Sequence, residues 1–221
     1  MSAASKTTPR TRYHHGDLRN ALTEEAVDLA RAGGPDAVVL REVARRVGVS
    51  ATAAYRHFAT HDDLLLQVKR ASLAALAESI AAAMEEVPAY EDPGERATAR
   101  VRAAAQGYIN FATTQPGLFS TAFCHTSLED DGAGAIPFEE TDSFQLLSGL
   151  LDDLVAVGRM DPERRLGADI AAWSAVHGYA VLLVGGPLEH RLSAEERVFV
   201  RERMMDMVVA GLTVPVSPAA G

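Results

Sequence analysis

Nineteen residues near the N-terminus restrict this chain more than any other stretch. They run Leu40-Arg41-Glu42-Val43-Ala44-Arg45-Arg46-Val47-Gly48-Val49-Ser50-Ala51-Thr52-Ala53-Ala54-Tyr55-Arg56-His57-Phe58. Leu40, Val43, Ala44 and Val47 recur at helical spacing. Gly48 stands where the chain must turn tightly, at a positive φ that a residue without Cβ adopts at no steric cost. Val49 plugs the angle that follows. Ser50 supplies a hydroxyl to accept from an orphan N–H of a second helix. Tyr55 and Phe58 end that helix, which is too short to stand alone. Two short helices at a fixed angle, basic on the open side, form the geometry that seats a helix in a DNA major groove.

The net charge of −9 opposes such a role, but its distribution supports it. Residues 1–61 carry +3 and four histidines (His14, His15, His57, His61), whereas residues 62–221 carry −12. A basic head on an acidic body is the split expected when only the head meets phosphate. Residues 1–12 are polar and basic, and are expected to be a disordered arm rather than a signal peptide or anchor. No apolar run reaches the length of a membrane span, so no membrane partner is expected. The single cysteine, Cys124, excludes an internal disulfide and fits a reducing cytoplasm.

The rest of the chain also reads as helix, giving an all-α fold without strand alternation or hairpin signals. A first helix is expected from Asp17 to Arg31, with Leu18, Leu22, Ala26 and Leu29 buried and Gly33-Gly34-Pro35 as its stop. A long helix should follow Thr60-His61-Asp62-Asp63, which resembles a capping box, and end before Pro88. Further helices are expected over residues 95–113, 118–124, 139–158, 161–185 and 194–212. An acidic, glycine-rich loop covers residues 129–134, and residues 215–221 form a fraying tail. The organisation expected is an arm (1–12), a three-helix helix-turn-helix head (13–62) and a larger helical ligand-binding and dimerisation domain (63–221).

Glu42-Val43-Ala44, Gly48-Val49-Ser50, Tyr55-Arg56-His57-Phe58 and Asp62-Asp63-Leu64 together resemble the DNA-binding domain of the TetR family of bacterial transcriptional regulators. The likeness extends from about Tyr13 to Val68. Trp173-Ser174-Ala175-Val176-His177-Gly178 resembles the Trp-His-Gly signature of one subfamily's regulatory domain, and Tyr13-His14-His15-Gly16-Asp17-Leu18-Arg19 resembles that subfamily's opening. The resemblance implies a homodimer, paired through its last two helices, on a palindromic operator, with an effector pocket in each body. It implies repression and release by a small molecule.

By position in the motif, Ser50, Thr52, Tyr55 and His57 resemble the family's DNA contacts. Ser50 and Tyr55 can donate to phosphates, Thr52 can meet a base edge, and Arg45, Arg46 and Arg56 can add charge. Ala51 and Ala53 offer only apolar contact with a thymine methyl, so DNA shape and the arm's Lys6, Arg10 and Arg12 should contribute to specificity. Three positions depart from the family pattern. Val39 replaces a capping Ser or Thr, leaving Glu42 to reach back to the backbone. His61 replaces a phosphate-gripping Lys, and a histidine is largely uncharged at neutral pH. Ala54 replaces a larger apolar residue beneath the recognition helix. An ordinary helical hairpin with a solvated basic face would share some of this pattern.

In the body, Leu166, Ile170, Trp173, His177, Ala180 and Val184 recur at heptad spacing and suit a helix seam. Val198, Met205, Val208 and Leu212 form a comparable face on the last helix. Tyr108, Phe111, Phe119, Phe123, Cys124, Phe144, Trp173 and His177 are the candidate pocket residues, and most of them suit a plain core equally well. His177 reads either as a core histidine satisfied by one hydrogen bond or as a group that orients a ligand. An apolar or aromatic effector fits this set.

No catalytic residue, metal ligand set or cofactor is expected. Cys124-His125 are adjacent and on a helix would point about 100° apart, and no phosphate loop or nucleophile elbow occurs. A ligand-binding protein with a vestigial DNA-binding head is the alternative from another class.

Overall fold

The computed structural model describes residues 15–125 and 136–213, and the regular elements among them are all helical. The basic arm, the 129–134 loop and the 215–221 tail lie outside the described residues. The α-helices are α1 (His15–Gly33), α2 (Leu40–Val47), α3 (Ala51–Tyr55), α4 (His61–Glu85), α5 (Pro93–Thr114), α6 (Pro116–Ala122), α7 (Asp142–Ala156), α8 (Ala168–Leu183) and α9 (Ala194–Leu212).

Local chemistry sets most of the boundaries. α1 begins at His15, two residues before Asp17, and stops at Gly34, whose φ is 72°. Gly48 turns the chain after α2 at φ 81°, and its N–H reaches the carbonyls of Ala44 and Arg45. The Ser50 hydroxyl accepts from Ala53 N–H at 3.2 Å and starts α3. Thr60 and Asp63 form a reciprocal cap at α4, with bonds of 3.0 and 2.9 Å. That helix is roughly 37 Å long and packs against α1, α5, α6 and α7.

One hydrophobic core runs from Leu22, Val43, Ala54 and Phe58 through Leu64, Val68 and Leu76 to Phe111, Leu151 and Ala180. The division at residues 62/63 falls in the first turn of α4, and the core continues across it. α6 wedges between α1 and α4. A Cβ on Gly117 would lie 2.2 Å from the Ala30 carbonyl oxygen, so only glycine lets α6 come this close to α1.

Three helices differ from expectation. Pro116 sits at the start of α6, moving that helix two residues earlier, to Pro116–Ala122. Phe138–Glu140 is a single 3-10 turn, and α7 begins only at Asp142. The helix expected over 161–185 breaks at Gly167, which is left-handed at φ 75°, after a 3-10 turn at Pro162–Arg164. Leu166 is therefore off the helix and 97% exposed, and Val184 is an extended C-cap. The heptad stripe does not lie on one helix.

Candidate nucleic-acid interface and ligand chamber

α3 is five residues long, and its orientation comes from what surrounds it. Ala54 and Phe58 point into the core at 0% exposure. Thr52, Tyr55 and Arg56 face outward, Ala51, Ala53 and His57 lie half-exposed, and His61 at the start of α4 is exposed. The C-terminal end of α3 is tied to α1 by Arg19, which donates to the His57 carbonyl at 2.5 Å. The same guanidinium lies 4.3 Å above the Phe58 ring. A cation there both caps the negative end of the short helix and stacks on its anchor. Arg19 was not among the expected functional residues. Only its place in the opening run hinted at it.

Arg45 and Arg46 are not free cations in this structure. Glu42 does not reach back to cap α2, and Val39 supplies no side-chain cap either. Instead Glu42 accepts two bonds from Arg45 (2.7 Å each) and one from Arg46 (2.8 Å). Arg46 also reaches Glu25 on α1 at 3.2 Å. Hydrogen bonds from Arg45 and then Arg46 pull the Glu42 carboxyl down to about 2. Arg41, on the same helix, is exposed and has no ion pair among the described residues. His61 has the Asp62 carboxylate 3.0 Å from Nδ1.

In the body, α5, α6 with its C-cap, the Phe138–Glu140 turn, α7 and α8 bring six aromatic rings and one imidazole together. Phe123 lies 4.6 Å from the His177 ring and 6.3 Å from Trp173. Phe119 packs edge-on to Tyr108 at 6.0 Å. Trp173 stacks on His177 at 4.7 Å and meets Phe138 at 4.4 Å, which in turn lies 4.6 Å from Phe144. The Tyr108 hydroxyl and His177 Nδ1 share a hydrogen bond of 2.7 Å. Burial lowers the His177 pKa and raises that of Tyr108, so this bond joins two neutral groups at pH 7.

Beside this cluster is a cavity of about 50 Å³, lined by Ile80, Val101, Ala104, Tyr108, Phe138, Phe144, Trp173, Val176 and Val208 among others. Pockets that bury drug-sized ligands are roughly 300–1,000 Å³, and this cavity falls well short of that range. Of the expected pocket residues, Tyr108, Phe144 and Trp173 line it, while Phe119, Phe123 and His177 stand behind them as a second layer. Phe111 is 1% exposed and belongs to the core. Cys124 follows α6 away from the cavity, its thiol 3.2 Å from the Thr121 carbonyl and its own carbonyl accepting from Lys69 Nζ at 2.9 Å. The aliphatic lining escaped sequence reasoning because residues at helical spacing look alike whether they face a void or a neighbour. Phe138 escaped because it sits on an isolated turn.

α8 and α9 leave apolar side chains uncovered. Ile170, Val181 and Leu182 are 41–46% exposed, and Val198, Phe199 and Met207 are 48–72% exposed. A Cβ at Gly178 or Gly211 would meet nothing within 4 Å. This face differs from the expected stripes. Trp173, His177 and Ala180 turn into the body, as do Met205, Val208 and Leu212 on α9. Among the described residues no group of three or more His, Cys, Asp or Glu is placed to hold a metal, and no helix is long and apolar enough to cross a membrane.

Residues 22–68 match the family model described as bacterial regulatory proteins, tetR family. Residues 101–208 match the tetracyclin repressor-like C-terminal domain. No curated protein matches the chain at a significant level. Among solved structures, a protein of unknown function from Rhodococcus sp. RHA1 is 26% identical, with a TM-score of 0.68 over 93% of this chain and 100% of its own. The TetR family transcriptional regulator PfmR from Thermus thermophilus is 18% identical, with a TM-score of 0.55 over 89% of this chain and 98% of its own. A TetR variant from Acinetobacter baumannii AYE, solved with minocycline, shares the fold at 18% identity and a TM-score of 0.55, over 87% and 94% of the two chains.

Proposed function

This chain belongs to the TetR family of bacterial regulators, and from that premise we propose that it is an effector-released repressor, binding a palindromic operator as a homodimer. Trp173, His177 and Gly178 support assigning it to the Trp-His-Gly subfamily. The observation that carries the reading is the pairing, on α3 and the turn that ends it, of inward Ala54 and Phe58 with outward Thr52 and Tyr55. A five-residue helix held by Gly48, Ser50 and Arg19 presents those hydroxyls on a rigid mount.

Ser50, Tyr55, Arg56, His57 and His61 meet phosphates, and Thr52 with the methyls of Ala51 and Ala53 meets base edges. Arg45 and Arg46 join only when they leave Glu42. A second copy covers the exposed residues of α8 and α9, with Gly178 and Gly211 allowing close approach. The two heads are then set about 34–36 Å apart, or a multiple of it, to reach successive major grooves.

The effector is a small neutral molecule, mostly apolar or aromatic, because the chamber walls are rings and aliphatic chains with few polar atoms. Entering beside Trp173 and Tyr108, it displaces Phe119 on α6 and Phe123 at the C-cap of that helix. α6 touches α1 at Gly117, and the Cys124 carbonyl just past it takes the Lys69 ammonium on α4. Movement in the chamber therefore reaches the head directly at α1 and indirectly through α4, whose first turn lies under the head. Effector and operator must weaken each other by the same factor, commonly about 5- to 150-fold.

Binding to DNA flanking its own gene, titrated with salt, tests the reading. Tyr55→Phe should weaken binding to every sequence, and Thr52→Ala should change sequence preference. Unaltered affinity in both variants, or a chain that stays monomeric, would remove it.

A further inference from the structure

The cations of α2 and α3 divide into two classes. Arg41 and Arg56 are exposed and make no ion pair among the described residues. Arg45 and Arg46 are both held by one carboxylate. Arg45 meets Glu42 in a two-pronged fit, Nε to Oε2 and an Nη to Oε1, each at 2.7 Å. That edge of a guanidinium is also the one that forks a phosphate. Arg46 gives its Nε to the same carboxylate and its other end to Glu25, so it bridges α2 to α1. Glu42 lies at the third position of α2, and Arg45 and Arg46 follow at i+3 and i+4, where helical side chains meet. All three side chains are at the surface, with 34–70% of their area exposed.

We propose that Glu42 is a specificity-determining residue, acting as a competitor that withholds Arg45 and Arg46 from the DNA backbone. The inference rests on the regulatory reading given above. A phosphate gains either guanidinium only by displacing a carboxylate that is already bonded and stays ionised. The charge that draws the head to any duplex is thereby reduced, since backbone attraction does not depend on sequence. The base-edge contacts of Thr52 and of the Ala51 and Ala53 methyls are untouched. They need correct placement in the groove, so their share of the binding rises. Glu42 thus lowers affinity for random DNA more than for the operator and widens the ratio between them.

The test uses the full chain and two labelled duplexes, the operator-containing flank and a random sequence, followed by fluorescence anisotropy from 50 to 200 mM salt. Glu42→Gln keeps the shape and removes the charge. Each additional phosphate neutralised steepens the logarithmic salt slope by about 0.9, which over this range is about 3.5-fold per contact. The expected result is tighter binding of E42Q to random DNA at 50 mM and a loss on raising salt that exceeds the native loss by about 12-fold for one arginine released per subunit of the dimer, and about 150-fold for both. R45A should weaken binding more in the E42Q background than in the native chain, a difference that a double-mutant cycle reads directly. E42Q that binds random DNA no more tightly than the native chain, or with the same salt slope, overturns the proposal. So does an R45A effect as large in the native background as in E42Q, because a positioning role for Glu42 predicts that outcome. A native chain without salt-sensitive binding removes the regulatory reading itself, and this inference falls with it.

Discussion

In the head, Leu22, Val43, Ala54 and Phe58 are 0% exposed, and the polar groups that matter point outward. In the body, six rings and His177 crowd around a void of about 50 Å³. The head is held by directional contacts: the Ser50 cap, the Gly48 turn and the Arg19 bond to His57. The body's chamber is held mainly by ring contacts between 4.4 and 6.4 Å and by the hydrogen bond between Tyr108 and His177. Hydrogen bonds fix angles, whereas ring contacts tolerate sliding. The proposed DNA face rests on the first kind of support. The chamber rests mainly on the second.

The largest expected effect tests whether the head stands on a single anchor. Phe58→Ala deletes a fully buried ring and the platform under Arg19. It should cost about 3–5 kcal/mol, seen as a lowered Tm with loss of DNA binding. A loss under about 1 kcal/mol would mean that the head is held by its caps alone. Next comes the joint between the two regions. Gly117→Ala puts a Cβ against the Ala30 and Arg31 carbonyls, which are backbone and cannot swing aside. It should cost about 1–3 kcal/mol and reduce effector response more than operator affinity. An unchanged response would show that α6 is not the link.

A smaller effect probes a directional contact of the chamber. Tyr108→Phe removes the bond to His177 and should cost about 1 kcal/mol. Acid should do related damage. His177 titrates below its ordinary 6.5 in the folded chain because it is buried. The unfolded chain therefore binds more protons near that pH, so stability is complete above 6.5 and falls as pH drops below it, until the folded pKa is passed. His177→Phe should flatten this stretch of a Tm–pH profile, and an unchanged slope would clear His177 of the role. The smallest effect has the opposite sign. Val39 caps nothing at the start of α2. Val39→Thr should raise stability by about 0.5–1 kcal/mol, measurable by denaturant titration, with the body unaffected.

The helix-turn-helix was legible because its instructions are local. Gly48 and Ser50 act within four residues of themselves, and the Thr60–Asp63 cap works within the same span. The chamber was legible only in part. Trp173 and His177 stood out, but heptad spacing pointed them toward a dimer seam, and they turn inward. Gly167 was the overlooked signal, since a left-handed glycine removes Leu166 from the helix and ends the stripe. Glu42 was misread for a related reason. Its capping role and its two arginine partners lie within the same turn, and spacing alone does not rank them.

The order of amino acids determined the all-helical class, the turn after α2, the family and the basic head, because each depends on short-range periodicity, backbone geometry or charge counts. Tertiary structure decided which face of α8 meets the chamber, that α6 sits against α1 at Gly117, and that Phe138 closes on Trp173. Those outcomes depend on long-range packing, where several helices compete for the same apolar surface and the winner is set by how all of them fill space together.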